Sequence, residues 1–250
     1  MRQFFDPSPP LLLPSDLVCT FTGKKPEELA LPKRAIIVVS SDDVRFLRRQ
    51  VSAKLLDAWA PFRRIYRFEK KETILTKTWY GGPNIASLVE ELSAFGVCEF
   101  CLWGYVGGIS VGLSIGDIII ASGALREEGV SHHYLDDRED TVSSEWAWEW
   151  SSRASCKGFT AGIVWSCDAI YRETRQKLER RRHTGVLGVE MEVASFYAVC
   201  RAKGLRGVAF LVVSDLFRDD GTWVPGFSTP EFSKGAKRLG AFLREHAIVW

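Results

Sequence analysis

The residues with chemistry to offer fall in two neighbouring stretches. Glu190 and Glu192 stand one residue apart in Gly188-Val189-Glu190-Met191-Glu192-Val193, and Ser214-Asp215 closes the apolar run Gly207-Val208-Ala209-Phe210-Leu211-Val212-Val213. Carboxylates spaced in this way cannot share a helix face, so the pair predicts a helix entrance, where unpaired amides and the positive dipole end favour acids. An acid at the carboxyl end of a buried strand stands where open α/β sheets bind ligands.

Regular elements must hold these acids in place. Val189, Val193, Phe196 or Tyr197, and Cys200 recur at helical spacing, Arg201 and Lys203 suit a last turn, and Gly204 supplies the stop. The run 207–213 reads as a strand buried on both faces. Upstream, Ala35 to Val39 is a strand, Ser40-Ser41-Asp42-Asp43 a cap cluster, and Val44, Leu47, Val51 and Leu55 a helical stripe. Thr73 to Thr78 predicts a strand, and Gly81-Gly82-Pro83 a turn into a helix that stops at Gly96. Val97 to Trp103, Ile115 to Ser122 and Phe159 to Trp165 read as further strands, the last followed by a helix start capped by Asp168. Residues 216–226 predict a loop able to act as a lid, and Pro230-Glu231 opens a terminal helix. This alternation predicts a single α/β domain, a three-layer sandwich around a mostly parallel or mixed sheet. Pro7, Pro9, Pro10, Pro14 and Pro32 predict an extended arm over residues 1–33, with the body over 34–250. Trp146, Trp148 and Trp150 alternate as strand residues do, in a segment whose helical or extended state their spacing leaves open.

Composition narrows the function classes. The chain has 250 residues, 46% of them apolar, enough for a sizeable core. Its net charge of +2 provides no basic footprint for nucleic acid. No uninterrupted apolar window is long enough to span a bilayer, and the first residues lack the apolar core of a secretory signal, so a cytoplasmic, soluble chain is expected. Six scattered cysteines suit buried thiols rather than a disulfide framework. Cys98 and Cys101 have the spacing of a metal or redox pair, but strand residues three apart face opposite ways. Nothing calls for a metal or an organic cofactor.

The stretch 188–198 with Ser214-Asp215 resembles the V-E-M-E-A-A…V-S-D signature of the nucleoside phosphorylase superfamily, and the resemblance extends over about residues 34–247. Gly81-Gly82-Pro83-Asn84 is similar to the family's G-G-P-S turn. Leu125-Arg126-Glu127-Glu128-Gly129 is similar to its V-R-D-E-G segment, and Asp168-Ala169-Ile170-Tyr171-Arg172-Glu173 to its D-A-x-Y-R-E pattern. The resemblance implies the phosphorylase fold, a homo-oligomer (dimer or trimer of dimers), and cleavage of an N-glycosidic bond with phosphate as co-substrate. By motif position Glu192, with Met191 beneath the sugar and Glu190 as a second acid, would hold the ribose hydroxyls, since a carboxylate can bind two donors at once. Asp215 would protonate or hydrogen-bond the purine N7, which favours a purine over uridine. Ser214, Ile170, Tyr171 and Arg126 fall at base-side positions.

The implied phosphate site is where the sequence departs from the family. Ser41 and Arg45 occupy its first phosphate loop, and Gly104 and Tyr105 its second, but Leu102 stands at the second loop's arginine and Tyr105 at its hydroxyl. Leucine cannot bind phosphate, so an ionic clamp is missing. Three functions fit: phosphorolysis using Arg45 and an arginine of another subunit, ranked first; hydrolysis by a nucleosidase; or nucleoside binding without turnover. Restoring the clamp with Leu102→Arg is expected to raise phosphate dependence.

Overall fold

Along the strands the apolar residues alternate between two cores, as a period of two requires. Ile37, Leu102, Ala209, Leu211 and Val213 pack on one side, and Ile36, Val38, Cys101, Trp103, Val208, Phe210 and Val212 on the other. A computed structural model of the chain describes residues 4–69, 71–136, 138–154 and 157–248. In chain order the elements are α1 (Pro14–Thr22), β1 (Arg34–Val38), α2 (Ser41–Gln50), β2 (Ala53–Leu55), β3 (Ile65–Phe68), β4 (Thr73–Lys77), α3 (Gly82–Ser93) and β5 (Glu99–Gly108). There follow β6 (Ile118–Glu127), α4 (Ser131–Tyr134), β7 (Thr141–Ser143), α5 (Glu145–Ala154), β8 (Thr160–Cys167) and α6 (Arg175–His183). Then come β9 (Gly188–Glu190), α7 (Val193–Ala202), β10 (Arg206–Phe217), β11 (Trp223–Pro225) and α8 (Pro230–Leu243).

Helices α1, α3 and α7 cover the first core, and α2, α5 and α8 the second, which makes the expected three-layer sandwich. The sheet is mixed. Strands β4, β1, β5 and β10 run parallel, β6 pairs antiparallel with β10, and β8 and β9 follow β6. Because β9 also pairs with β5, the path β5, β10, β6, β8, β9 closes on itself. This closure places Gly107, Val189 and Trp165 in one row and sets Ser166 beside Glu190 in the next.

Two local expectations are corrected and one open question is closed. The first 33 residues are not simply extended: Pro14 opens α1, where its missing N–H costs nothing, and Val18 is fully buried against the core. The tryptophan segment is the helix α5, so Trp146 and Trp150, four apart, share its buried face and meet edge to face, while Trp148 points outward. Residues 216–226 form a hairpin rather than a loop, because β11 folds back on β10 with Phe217 opposite Trp223.

Candidate active site

The acid pair sits at the entrance of α7, as its spacing demands, but the two acids do different work. Glu190 ends β9, and its Oε2 accepts the amides of Glu192 at 2.6 Å and Val193 at 2.8 Å. Its Oε1 accepts the hydroxyl of Ser166, whose oxygen in turn accepts the Ala194 amide at 2.8 Å. Glu190 therefore anchors the amino end of α7, and its oxygens are occupied rather than offered to a sugar. Glu192 Oε1 accepts the Gly81 amide at 2.6 Å, which ties the turn before α3 to the entrance of α7. Burial drives both carboxyls well above the usual carboxylate range, and the charge of Glu192 adds to the rise at Glu190.

At the carboxyl end of β10 the register against β5 shifts between Val213 and Asp215, so Ser214 is an extra residue. A bulge of this kind re-aims the side chain that follows it. Asp215 Oδ1 accepts the Ser214 hydroxyl at 2.7 Å, and Oδ2 accepts the indole N–H of Trp223 at 2.7 Å. Gly107 makes room for that carboxyl: a Cβ there would lie 3.2 Å from Asp215 Oδ2.

The stretch Gly104 to Gly108 is strand, not loop, because pairing with β10 continues as far as Gly108. Leu102 is fully buried in the first core, and Gly104 packs against Leu211. The position of the missing arginine thus faces the core, and Leu102→Arg would bury a charge there instead of restoring a clamp. Tyr105 donates its phenolic hydrogen to Asp43 Oδ2 at 2.6 Å. Asp43, buried on α2, has its acid pushed up to about 6 by burial, with the Tyr105 bond opposing the rise. Ser41 is exposed at the start of α2, and Arg45 is exposed and paired with Asp42.

These pieces surround one cavity of about 690 Å³, within the range of small-molecule sites. Val39, Tyr105, Val106 and Gly107 form one wall; Val189, Glu190, Met191 and Glu192 another; and Ser214, Asp215, Phe217, Trp223 and Phe227 a third. Tyr80, Ile170, Tyr171 and Glu173 complete the lining. Glu192, Met191, Glu190, Tyr105, Ile170, Tyr171, Ser214 and Asp215 line this one cavity; Arg45, Ser41, Gly104 and Arg126 are not among the lining residues. Arg126 is buried and turned inward, binding Ser131 Oγ at 2.9 Å and the carbonyls of Leu135, Asp136 and Glu139 at 2.7–3.1 Å. Asp168 accepts the Gly129 amide at 3.0 Å, and the helix cap falls to Thr174. Among the described residues, the lining holds four carboxyls and no lysine, arginine or histidine.

Sequence reasoning missed Glu173, Tyr80 and Phe227 in the lining of this site, and Asp43 behind Tyr105. Glu173 and Asp43 lie inside quoted motifs, and an acid in a motif was the available signal. A second cavity of about 560 Å³ opens near the amino end of β10, where Arg201 pairs with Glu139 and Arg206 with Glu149.

The sequence profile of the phosphorylase superfamily matches residues 33–246. This chain belongs to the phosphorylase superfamily. Within it, a guanosine phosphorylase of Halorubrum lacusprofundi is 30% identical over 162 residues, 64% of this chain and 65% of that protein. A uridine phosphorylase of Haemophilus influenzae is 29% identical over 160 residues, 56% and 64% of the two chains. The chain thus matches just under two thirds of the length of these relatives. Its fold is that of a uridine phosphorylase structure from Vibrio fischeri, with a TM-score of 0.72 at 22% identity over 86% of this chain and 91% of that one. No helix among the described residues is long and apolar enough to cross a membrane.

Proposed function

We propose that the chain cleaves the N-glycosidic bond of a nucleoside, with a purine base favoured, and passes the ribosyl group to water rather than to phosphate. The observation that carries the choice of water is the end of the cavity at Tyr105, where the phenol is committed to buried Asp43 and no cation lines the wall among the described residues. A phosphate charge about 5 Å from the Asp215 carboxylate costs roughly 3 kcal/mol at an effective dielectric constant near 20, and the other three lining carboxyls, Glu173, Glu190 and Glu192, whose acids burial raises, supply no cation to offset it. The same field favours the positive charge that develops on a sugar as its bond to the base breaks. In this reading Glu192 and Met191 hold the ribose, Ile170 and Tyr171 cover the base, and Asp215 with Ser214 faces its ring nitrogens.

Phosphorolysis is the second reading, favoured by relatives named guanosine and uridine phosphorylase. It requires a cation from another copy of the chain, consistent with the homo-oligomer that the family resemblance implies. Incubating guanosine, inosine, adenosine and uridine with and without phosphate separates the two. Free ribose formed at a rate indifferent to phosphate supports hydrolysis; ribose 1-phosphate formed only with phosphate rejects it. Tight nucleoside binding with no base released rejects both and leaves a binding protein. A cytoplasmic location belongs to the same proposal.

A further inference from the structure

Asp215, the acid that the motif assigns to the departing base, is already an acceptor at both oxygens, from Ser214 and from Trp223 at 2.7 Å each. While those bonds stand, neither oxygen is placed to give up a proton. The leaving base still needs one: a purine anion is a poor leaving group, and general acids typically contribute 10²–10⁴-fold.

Glu173 lines the same cavity as Asp215, and its carboxyl takes no hydrogen bond from any described residue. It is held on ordered backbone. The preceding turn Ile170–Arg172 is fixed by Arg172 N donating to Ala169 O at 2.7 Å, and Thr174 caps α6 directly after it. The charged groups facing it are Asp215 on β10 and Lys177 on α6, and Lys177 is itself paired with Glu127. Partial burial, and then the charge of Asp215, push the Glu173 acid up to about 7. Two carboxyls in one pocket with unlike environments are the usual arrangement for dividing proton donation from charge stabilisation.

We infer that Glu173 is the catalytic acid that delivers a proton to the departing base, while Asp215, oriented by Trp223 and Ser214, stays an acceptor that positions the base. This rests on the reading of the site as one that cleaves nucleosides. As the bond from C1′ to the base nitrogen breaks, its electron pair stays on the base, and the Glu173 proton moves to a base ring nitrogen. Water oxygen bonds to C1′, and its surplus proton returns through solvent to Glu173, so the cycle closes without another reactant.

The test compares guanosine with 7-methylguanosine, whose base is already cationic and leaves without a proton, in the wild type and in Glu173→Gln. The variant is expected to lose about 100-fold or more in kcat/KM on guanosine. That loss should exceed its loss on 7-methylguanosine by at least about 30-fold, and the fall in wild-type activity as pH rises through about 7 should vanish. Equal losses on both substrates, or a variant keeping the guanosine rate and its alkaline limb, would overturn the assignment. If the methyl group keeps the substrate out of the wild type, the alkaline limb alone decides. A wild type that releases no base from any nucleoside fails at the earlier step, and both readings then fall together.

Discussion

The phenol of Tyr105, on β5, donates to Asp43 Oδ2, on α2, at 2.6 Å, and the two residues lie 62 positions apart in the chain. This bond closes the end of the cavity at which the family resemblance implies a phosphate site, and it does so with a buried acid.

That acid makes stability depend on pH in a known direction. The folded value for Asp43, about 6, lies above its ordinary 3.8, so its contribution is fully present below about pH 4 and is lost as pH rises through 6. Two units correspond to about 3 kcal/mol at most. Asp43→Asn, which still accepts the Tyr105 hydrogen and carries no charge, should gain about 1–3 kcal/mol on the wild type between pH 4 and pH 8. Urea unfolding at several pH values measures this; parallel curves for the two proteins would refute it.

Leu102→Arg is expected to destabilise the chain by more than about 3 kcal/mol, since it places an unpaired charge in the core beneath α3 and α7. Thermal unfolding reads the loss. A stable variant with stronger phosphate dependence would mean that position 102 can reach the cavity.

Glu190→Gln should separate the two acids of the pair. An amide has one acceptor oxygen for the three donors that Glu190 now serves, so a loss of about 1–3 kcal/mol in stability is expected. Glu192→Gln gives up one acceptor toward a bound sugar and should act mainly on KM for ribonucleosides, with a smaller change in unfolding. Calorimetry and steady-state kinetics on both variants check the contrast, and identical profiles would count against it.

Gly107→Ala adds a methyl 3.2 Å from Asp215 Oδ2 and 3.2 Å from the ring of Phe217, closer than such contacts normally come. Moving a base-facing carboxyl by a few tenths of an ångström should lower kcat about 10-fold or more, while Tm stays within a few degrees. Unchanged kinetics would show that the Asp215 position is not critical.

Asp215→Asn still accepts from one of its two donors and should keep the fold. Because Asp215 positions the base, the change is expected to lower purine cleavage about 100-fold and to spare uridine more than guanosine. A rate equal to that of the wild type would remove Asp215 from the mechanism.

By itself the sequence determined the layers and the ends of the elements. Runs such as 35–39 and 207–213 announce strands whose alternate residues must face two cores, and acids at a helix entrance and a strand terminus place Glu192 and Asp215 at one rim. These are local properties, set by backbone periodicity and by unpaired amides within a few residues. Only the tertiary structure decided that Tyr105 meets Asp43, that Arg126 turns inward to hold residues 131–139, and that Glu173 shares a wall with Asp215. Such meetings depend on strand order, on the bulge at Ser214 and on the closure of β5 through β9, and local periodicity specifies none of these.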